Sequence, residues 1–178
     1  MNKKEIRKHI ASLKKQYTSQ QLLQYSNQVL EQLASNRHFQ EAQTVLLYHS
    51  LPDEVNTHDF VKLWAEKKTI LLPVVVGDVL EIRRYTGDND LKLGSFNILE
   101  PCGEPFENLE EIDVAVVPGV GFDRKNNRLG RGKGYYDKLL CQMSDVYRIG
   151  ICFPFQFMDK LPSEKHDIKM HEVVSGTL

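Results

Sequence analysis

Long apolar runs are missing from this sequence of 178 residues. No stretch approaches the ~20 residues needed to cross a bilayer. The opening MNKKEIRKHIASLKKQ has neither a continuous apolar segment nor a small-residue cleavage site. A soluble, cytoplasmic chain without a membrane partner is expected. Cysteine is scarce: Cys102, Cys141 and Cys152 are odd in number, and none stands in a C-x-x-C spacing. That excludes a disulfide framework and a zinc-type ligand set, and leaves reduced structural thiols. An excess of charge is missing as well. The 23 basic and 24 acidic residues leave a formal charge of -1, so no global field draws the chain to nucleic acid. Any anion site must be local. Internal repeats and low-complexity tracts are also absent.

What is present suits one compact core. With 41% of residues hydrophobic, the chain can bury most of its apolar surface, yet is short for two full domains, so a single domain over residues 1–178 is expected. Ile6, Ile10, Leu13 and Tyr17 recur at steps of three and four and predict a helix from about Lys3 to Tyr17. Thr18 and Gln21 fit a capping box opening a second helix to about Ser35. TVLLY (44–48) and TILLPVV (69–75) read as buried strands flanking a helical pattern in Phe60, Val61, Leu63 and Trp64, which makes a βαβ unit. Gly77-Asp78 predicts a turn into LEIRRY (80–85), an alternating strand expected as an edge excursion from the main sheet. Residues 86–111, rich in Gly, Pro, Asn and Asp, predict irregular structure able to cover a ligand. DVAVV (113–117) and YRIGICF (147–153) are further strands around a helix from about Gly134 to Met143, with a last short strand at 172–175. This order predicts an α/β fold: one three-layer α/β/α domain, a mostly parallel open sheet with helices on both faces. Ligands of such sheets bind beyond the carboxyl ends of the strands.

The chemistry concentrates in VVPGVGFDRKNNRLGRGKGYYDKLL (116–140). An apolar strand ends at Pro118, and a glycine-rich basic loop leads into a helix. Gly130, Gly132 and Gly134 alternate with Arg131 and Lys133, so backbone can approach a phosphate while cations face it; Arg128 adds a third charge. The loop is not a Walker A motif, because Gly134 follows Lys133 where Ser or Thr is needed, nor the G-x-G-x-x-G of dinucleotide folds. Asp137 lies in the first helical turn, where the dipole favours a carboxylate; it also suits a Mg²⁺ held against phosphate oxygens. Lys3 and Arg7 stand four apart on the first helix, a like-charge pair that an anion between them would relieve. In HSLPDEVNT (49–57), Glu54 or Asp53 could grip the N–H groups of a heterocycle, or Asp53 and Asn56 could simply shape the turn and cap the next helix. His166 and His171 share no helical face, which argues against a metal pair.

VPGVGFDRKNNRLGRGKGYYD resembles the motif of the 5-formyltetrahydrofolate cyclo-ligase family, also called methenyltetrahydrofolate synthetases. The resemblance extends over nearly the whole chain, from the basic helix through the Glu54 loop to HDIKMHEVVS. It implies conversion of 5-formyltetrahydrofolate to 5,10-methenyltetrahydrofolate, driven by Mg-ATP going to ADP and phosphate. Carried over by position, Lys3, Lys4 and Arg7 would contact ATP phosphates. Arg128, Leu129, Gly130, Arg131, Gly132, Lys133, Gly134, Tyr135 and Tyr136 would wrap the nucleotide. The stretch Arg131 to Tyr135 would also reach the folate, with His49 and Glu54 at the pterin. Asp137 and Asp167 would hold Mg²⁺, and Lys133 with Arg131 would stabilise the transferred phosphoryl group. Asn126 departs from the glycine many members place in the turn, and His49 from an apolar residue that also serves. Phe122, Trp64 and Tyr48 are candidates for stacking on the pterin. The implied partners are small molecules, and the implied assembly is a monomer or weak homodimer. Two other readings of the loop are a sugar-phosphate isomerase-like enzyme and an ATP-binding module without turnover.

Overall fold

The computed structural model describes residues 1–176, so the last two residues of the expected domain lie outside the described residues. Helix α1 (Lys3–Lys14) opens on a reciprocal cap: the Asn2 side chain accepts from Glu5 N at 2.9 Å, and the Glu5 carboxylate accepts from Asn2 N at 2.8 Å. It stops three residues before Tyr17. Tyr17 N donates to Lys14 O in a turn that frees Thr18 to cap α2 (Ser19–Ser35) together with Gln21, as the sequence predicts. Asn36 ends α2 and its side chain accepts from Phe39 N, which starts a short α3 (Arg37–Glu41) that the sequence pattern does not announce.

Strand β1 (Thr44–Leu46) is followed by α4 (His58–Trp64), β2 (Thr69–Val76) and β3 (Val79–Tyr85). Beyond them run β4 (Leu91–Leu93), β5 (Leu99–Pro101), β6 (Val114–Val117), β7 (Gly121–Asp123) and β8 (Arg128–Leu129). Helix α5 (Tyr135–Leu140), β9 (Tyr147–Ile151), β10 (Phe157–Met158) and β11 (Glu172–Val174) complete the chain. The main sheet has the order β11-β9-β6-β1-β2-β3 and is parallel except for β3. β3 stays within the sheet as its antiparallel edge, joined to β2 by a two-residue turn whose positive φ of 64° falls on Gly77.

Because successive side chains of a strand face opposite ways, each strand feeds two cores. Val45, Ile70, Leu72, Val114, Val116, Ile149 and Ile151 meet α2, α3 and α4 through Val29, Leu33, Phe39, Phe60 and Val61. On the opposite face Leu46, Leu71, Ala115 and Val117 pack with Phe122 and with Leu139 and Leu140 of α5. The result is the expected three-layer α/β/α arrangement. Helix α1 belongs to neither layer; Ile6 and Ile10 pack on Leu129 and Leu161 at the carboxyl end of the sheet. That contact places the basic first turns of α1 beside the glycine loop.

Residues 86–111 depart from expectation. They form the antiparallel β4–β5 hairpin and three short 3₁₀ turns, with Phe106 buried in the second core, and none of them lines the cavity described below. No described helix is long and apolar enough to cross a membrane.

Gly150 in β9 leaves no room for a side chain: a Cβ there would clash with the ring of the fully buried Phe122. Overpacked positions in well-filled cores cost about 1–3 kcal/mol. Gly150→Ala is therefore expected to lower the free energy of unfolding by about 2–3 kcal/mol in urea denaturation, with the slope unchanged.

Candidate active site

The site is assembled by one turn. Asp123 at the end of β7 is fully buried, and its two carboxylate oxygens accept four hydrogen bonds, from Lys125 N, Asn127 N, Asn127 Nδ2 and Leu161 N, at 2.8 to 2.9 Å. Burial opposes its charge, but these donors outweigh that and hold its carboxyl below the usual range. Asn126 takes the left-handed conformation, φ 62°, which asparagine tolerates better than most side chains. Its amide also donates to His171 O. The turn sends β8 back along β7 and delivers the chain from Arg128 onward to the carboxyl ends of β1, β2 and β6.

There a cavity of about 530 Å³ opens. Lys3 and Arg7 of α1, the loop after β1, the β2–β3 tip, Pro118 and every residue from Arg128 to Asp137 line it. Gly132 and Gly134 carry positive φ values of 106° and 72°, so two of the three alternating glycines are required by the backbone. At Gly130 the limit is space, since an added Cβ would sit 3.1 Å from the Arg128 guanidinium. Gly134 is the N-cap of α5 and supplies no side-chain cap.

Most cations of the site have partners. Lys3 Nζ lies 2.9 Å from Asp167 Oδ2 and 3.6 Å from Glu164, and Arg7 Nε donates to Gly130 O at 2.8 Å. The like charges of Lys3 and Arg7 are thus relieved by groups of the protein itself. Arg128 donates from Nε to Pro118 O at 2.7 Å and lies over the Tyr136 ring at 5.0 Å. Burial lowers its pKa, yet such a guanidinium stays protonated. Arg131 bonds Asp53 at 2.9 Å and stands 3.5 Å from Glu54. Lys133 is exposed and, among the described residues, makes no hydrogen bond or ion pair.

On the facing wall, burial pushes the Glu54 carboxyl upward against the pull of Leu51 N–H and Arg131. His49 stacks on His58, ring centroids 3.8 Å apart and 7° from parallel. Burial first, and the neighbouring imidazole second, lower its pKa to about 4 despite Asp88. His49 is thus neutral at pH 7, and this pairing nine residues apart gave no sequence signal. Of the aromatic candidates, Tyr48 lines the cavity, Phe122 is buried beneath it, and Trp64 lies in the α4 core beside Lys67 and Lys68. Lys4 is exposed and does not line the cavity, and Leu129 packs its side chain against α1.

Asp137 and Asp167 both reach the cavity. Asp137 Oδ1 accepts from Ile168 N at 3.0 Å, and Asp167 Oδ2 accepts from Lys3 Nζ and Glu164 N. Each keeps a second oxygen without a hydrogen bond among the described residues, and carboxylate oxygens are the donors Mg²⁺ prefers. The residues present therefore fit that ion. Glu164 and His166, which sequence reasoning missed, gather with Asp167, their ligand atoms within 4.8 Å of one another. His171 lies elsewhere, stacked on Tyr147.

The model of the 5-formyltetrahydrofolate cyclo-ligase family matches residues 1–176. The chain is 29% identical to a 5-formyltetrahydrofolate cyclo-ligase of Haemophilus influenzae, over 97% of this chain and 93% of that one. It is 28% identical to the Mus musculus protein of the same name, over 97% and 92%. Among solved structures, the NMR structure of Aquifex aeolicus 5,10-methenyltetrahydrofolate synthetase superposes with a TM-score of 0.86 at 32% identity, covering 98% of this chain and 90% of that one. A Mycoplasma pneumoniae synthetase shares the fold, with a TM-score of 0.77 at 24% identity and 98% of both chains covered.

Proposed function

Since the chain belongs to the 5-formyltetrahydrofolate cyclo-ligase family, we propose that its cavity holds ATP and 5-formyltetrahydrofolate side by side and closes the methenyl bridge between N5 and N10. The observation that carries this reading is a juxtaposition: one cavity has a cationic glycine loop on one wall and the half-open carboxylate of Glu54 on another.

A formamide oxygen is a poor leaving group. In the proposed route it attacks the γ-phosphorus of ATP, and ADP departs. N10 then attacks the formyl carbon of the phosphorylated N5-imidate, the carbon–oxygen bond breaks, and phosphate leaves with the N10 proton released. No nucleophilic side chain is required; alignment and charge stabilisation are. Lys133, a cavity-lining cation without a hydrogen bond or ion pair among the described residues, is assigned to the transferring phosphoryl group, assisted by Arg131. Lys3, Arg7 and the loop from Arg128 to Tyr136 are assigned to the nucleotide, and Lys4, outside the cavity, is not. Glu54 and His49 take the pterin, and Tyr48 is the stacking candidate that reaches the cavity. Asp137 and Asp167 would hold Mg²⁺, which when bound would screen the charge of the phosphate oxygens. Soluble substrates and free cysteines suit work in the cytoplasm, as a monomer or weak homodimer.

The route has its own test. With the formyl oxygen labelled as ¹⁸O, label is expected in the released inorganic phosphate in step with ADP. Label in water, or ADP released without folate turnover, would count against the imidate.

A further inference from the structure

We infer that Asp53 is a positioning residue for the folate side of the site: by holding the Arg131 guanidinium, it keeps one oxygen of Glu54 open for the N–H groups of the substrate. The inference rests on the folate reading above and assigns a role to a residue that does not itself line the cavity.

Glu54 has a single oxygen to offer. Its Oε1 accepts from Leu51 N at 2.8 Å, within its own loop. Its Oε2 stands 3.5 Å from Arg131 Nη2, too far for a good hydrogen bond. The same nitrogen lies 2.9 Å from Asp53 Oδ1, so one guanidinium nitrogen stands between two neighbouring carboxylates and bonds the outer one. Asp53 Oδ2 in turn faces Lys14 Nζ, at the end of α1, at 3.5 Å. The Asp53 carboxylate thus bridges α1, the loop after β1 and the glycine loop. Exposure separates the two acids: the Asp53 side chain is 49% accessible, that of Glu54 14%. The partly buried Asp53 is held below the usual carboxylate range by Arg131 and Lys14, whereas burial raises Glu54. The guanidinium thus bonds Asp53 at 2.9 Å and meets Glu54 only at 3.5 Å.

Without the Asp53 charge, Arg131 has one remaining carboxylate within reach, and the shift that closes the gap to Glu54 Oε2 is small. The resulting pair would sit in a half-buried place and would have to open before a heterocycle could use that oxygen. The substrate would then compete with the protein's own arginine.

Asp53→Asn is expected to raise the KM for 5-formyltetrahydrofolate roughly fivefold to tenfold, with the KM for ATP within about twofold of wild type. Asp53→Glu should restore most of the affinity. Lys14→Met, which leaves the Asp53–Arg131 pair in place, should leave the folate KM within about twofold. A double-mutant cycle separates this role from a general loss of structure. In an Arg131→Gln background, Asp53→Asn should not further weaken 5-formyltetrahydrofolate binding measured by titration calorimetry. An unchanged folate KM, a rise confined to ATP, or a penalty that persists without Arg131 would overturn the inference. Turnover by the wild-type protein, run alongside, tests the ligase reading separately.

Discussion

Lys133→Ala is expected to lower kcat by about a thousandfold while shifting the melting temperature by no more than about 1 °C. The two halves of this expectation have different causes. Lys133 is exposed and unpartnered among the described residues, so its removal strands no buried group and costs the fold little. In catalysis it is the cation free to follow charge as it develops. Lys3, Arg7, Arg128 and Arg131 each hold a carbonyl or carboxylate of the protein. A single well-placed charge on a transferring phosphoryl group is worth about 10³ or more in rate. Steady-state kinetics with both substrates saturating, beside a thermal melt, checks it. Lys133→Arg should recover part of the rate. A fully active alanine variant would remove Lys133 from the mechanism and return the loop to nucleotide binding alone.

Asp123→Ala should have the largest effect on stability, about 3–5 kcal/mol by urea denaturation. It removes a buried carboxylate and leaves three backbone N–H groups and an asparagine amide without their acceptor. The pH dependence follows from the same bonds. The folded-state pKa of Asp123 is depressed, so the unfolded state binds its proton more readily. Its stabilisation is therefore complete well above the unfolded value of about 4 and is lost as pH falls through the lower folded value. The alanine variant should lose less stability than wild type between neutral pH and about pH 3. Destabilisation below about 1 kcal/mol would mean that the turn is held from elsewhere. Because this turn delivers Arg128 and the glycines, kcat/KM should also fall in any folded fraction.

Features that rest on neighbours in the chain were legible. The Thr18 cap, the buried strands and the Gly77 turn follow from spacings of two to four residues, and the parallel sheet from the alternation of strands with helices. The cationic loop at the carboxyl end of the sheet followed from strand order and glycine placement. Features carried by distant pairs were not. The Lys3–Asp167 and Arg131–Asp53 contacts join residues 164 and 78 apart in sequence, and no local pattern encodes them. Arg7 has an aliphatic stem that suits a solvated face as well as a bond to the Gly130 carbonyl, so its spacing from Lys3 suggested an absent anion. Residues 86–111 give no strand pattern because their strands are three residues long, below the length at which alternation can be recognised. Trp64 was a plausible stacking side chain by type alone. Its burial against Phe39 and Phe60, known only from packing, removes it from the cavity.

The central claim is that this cavity cyclises a formylated folate at the expense of ATP. The most direct test mixes the purified protein with Mg-ATP and 5-formyltetrahydrofolate and follows the near-ultraviolet absorbance of the conjugated methenyl bridge, with an ATP-free control. A rise that requires ATP and matches ADP formed one to one is the expected result. Absence of any rise with both substrates present, while the protein remains folded and binds ATP, would contradict it.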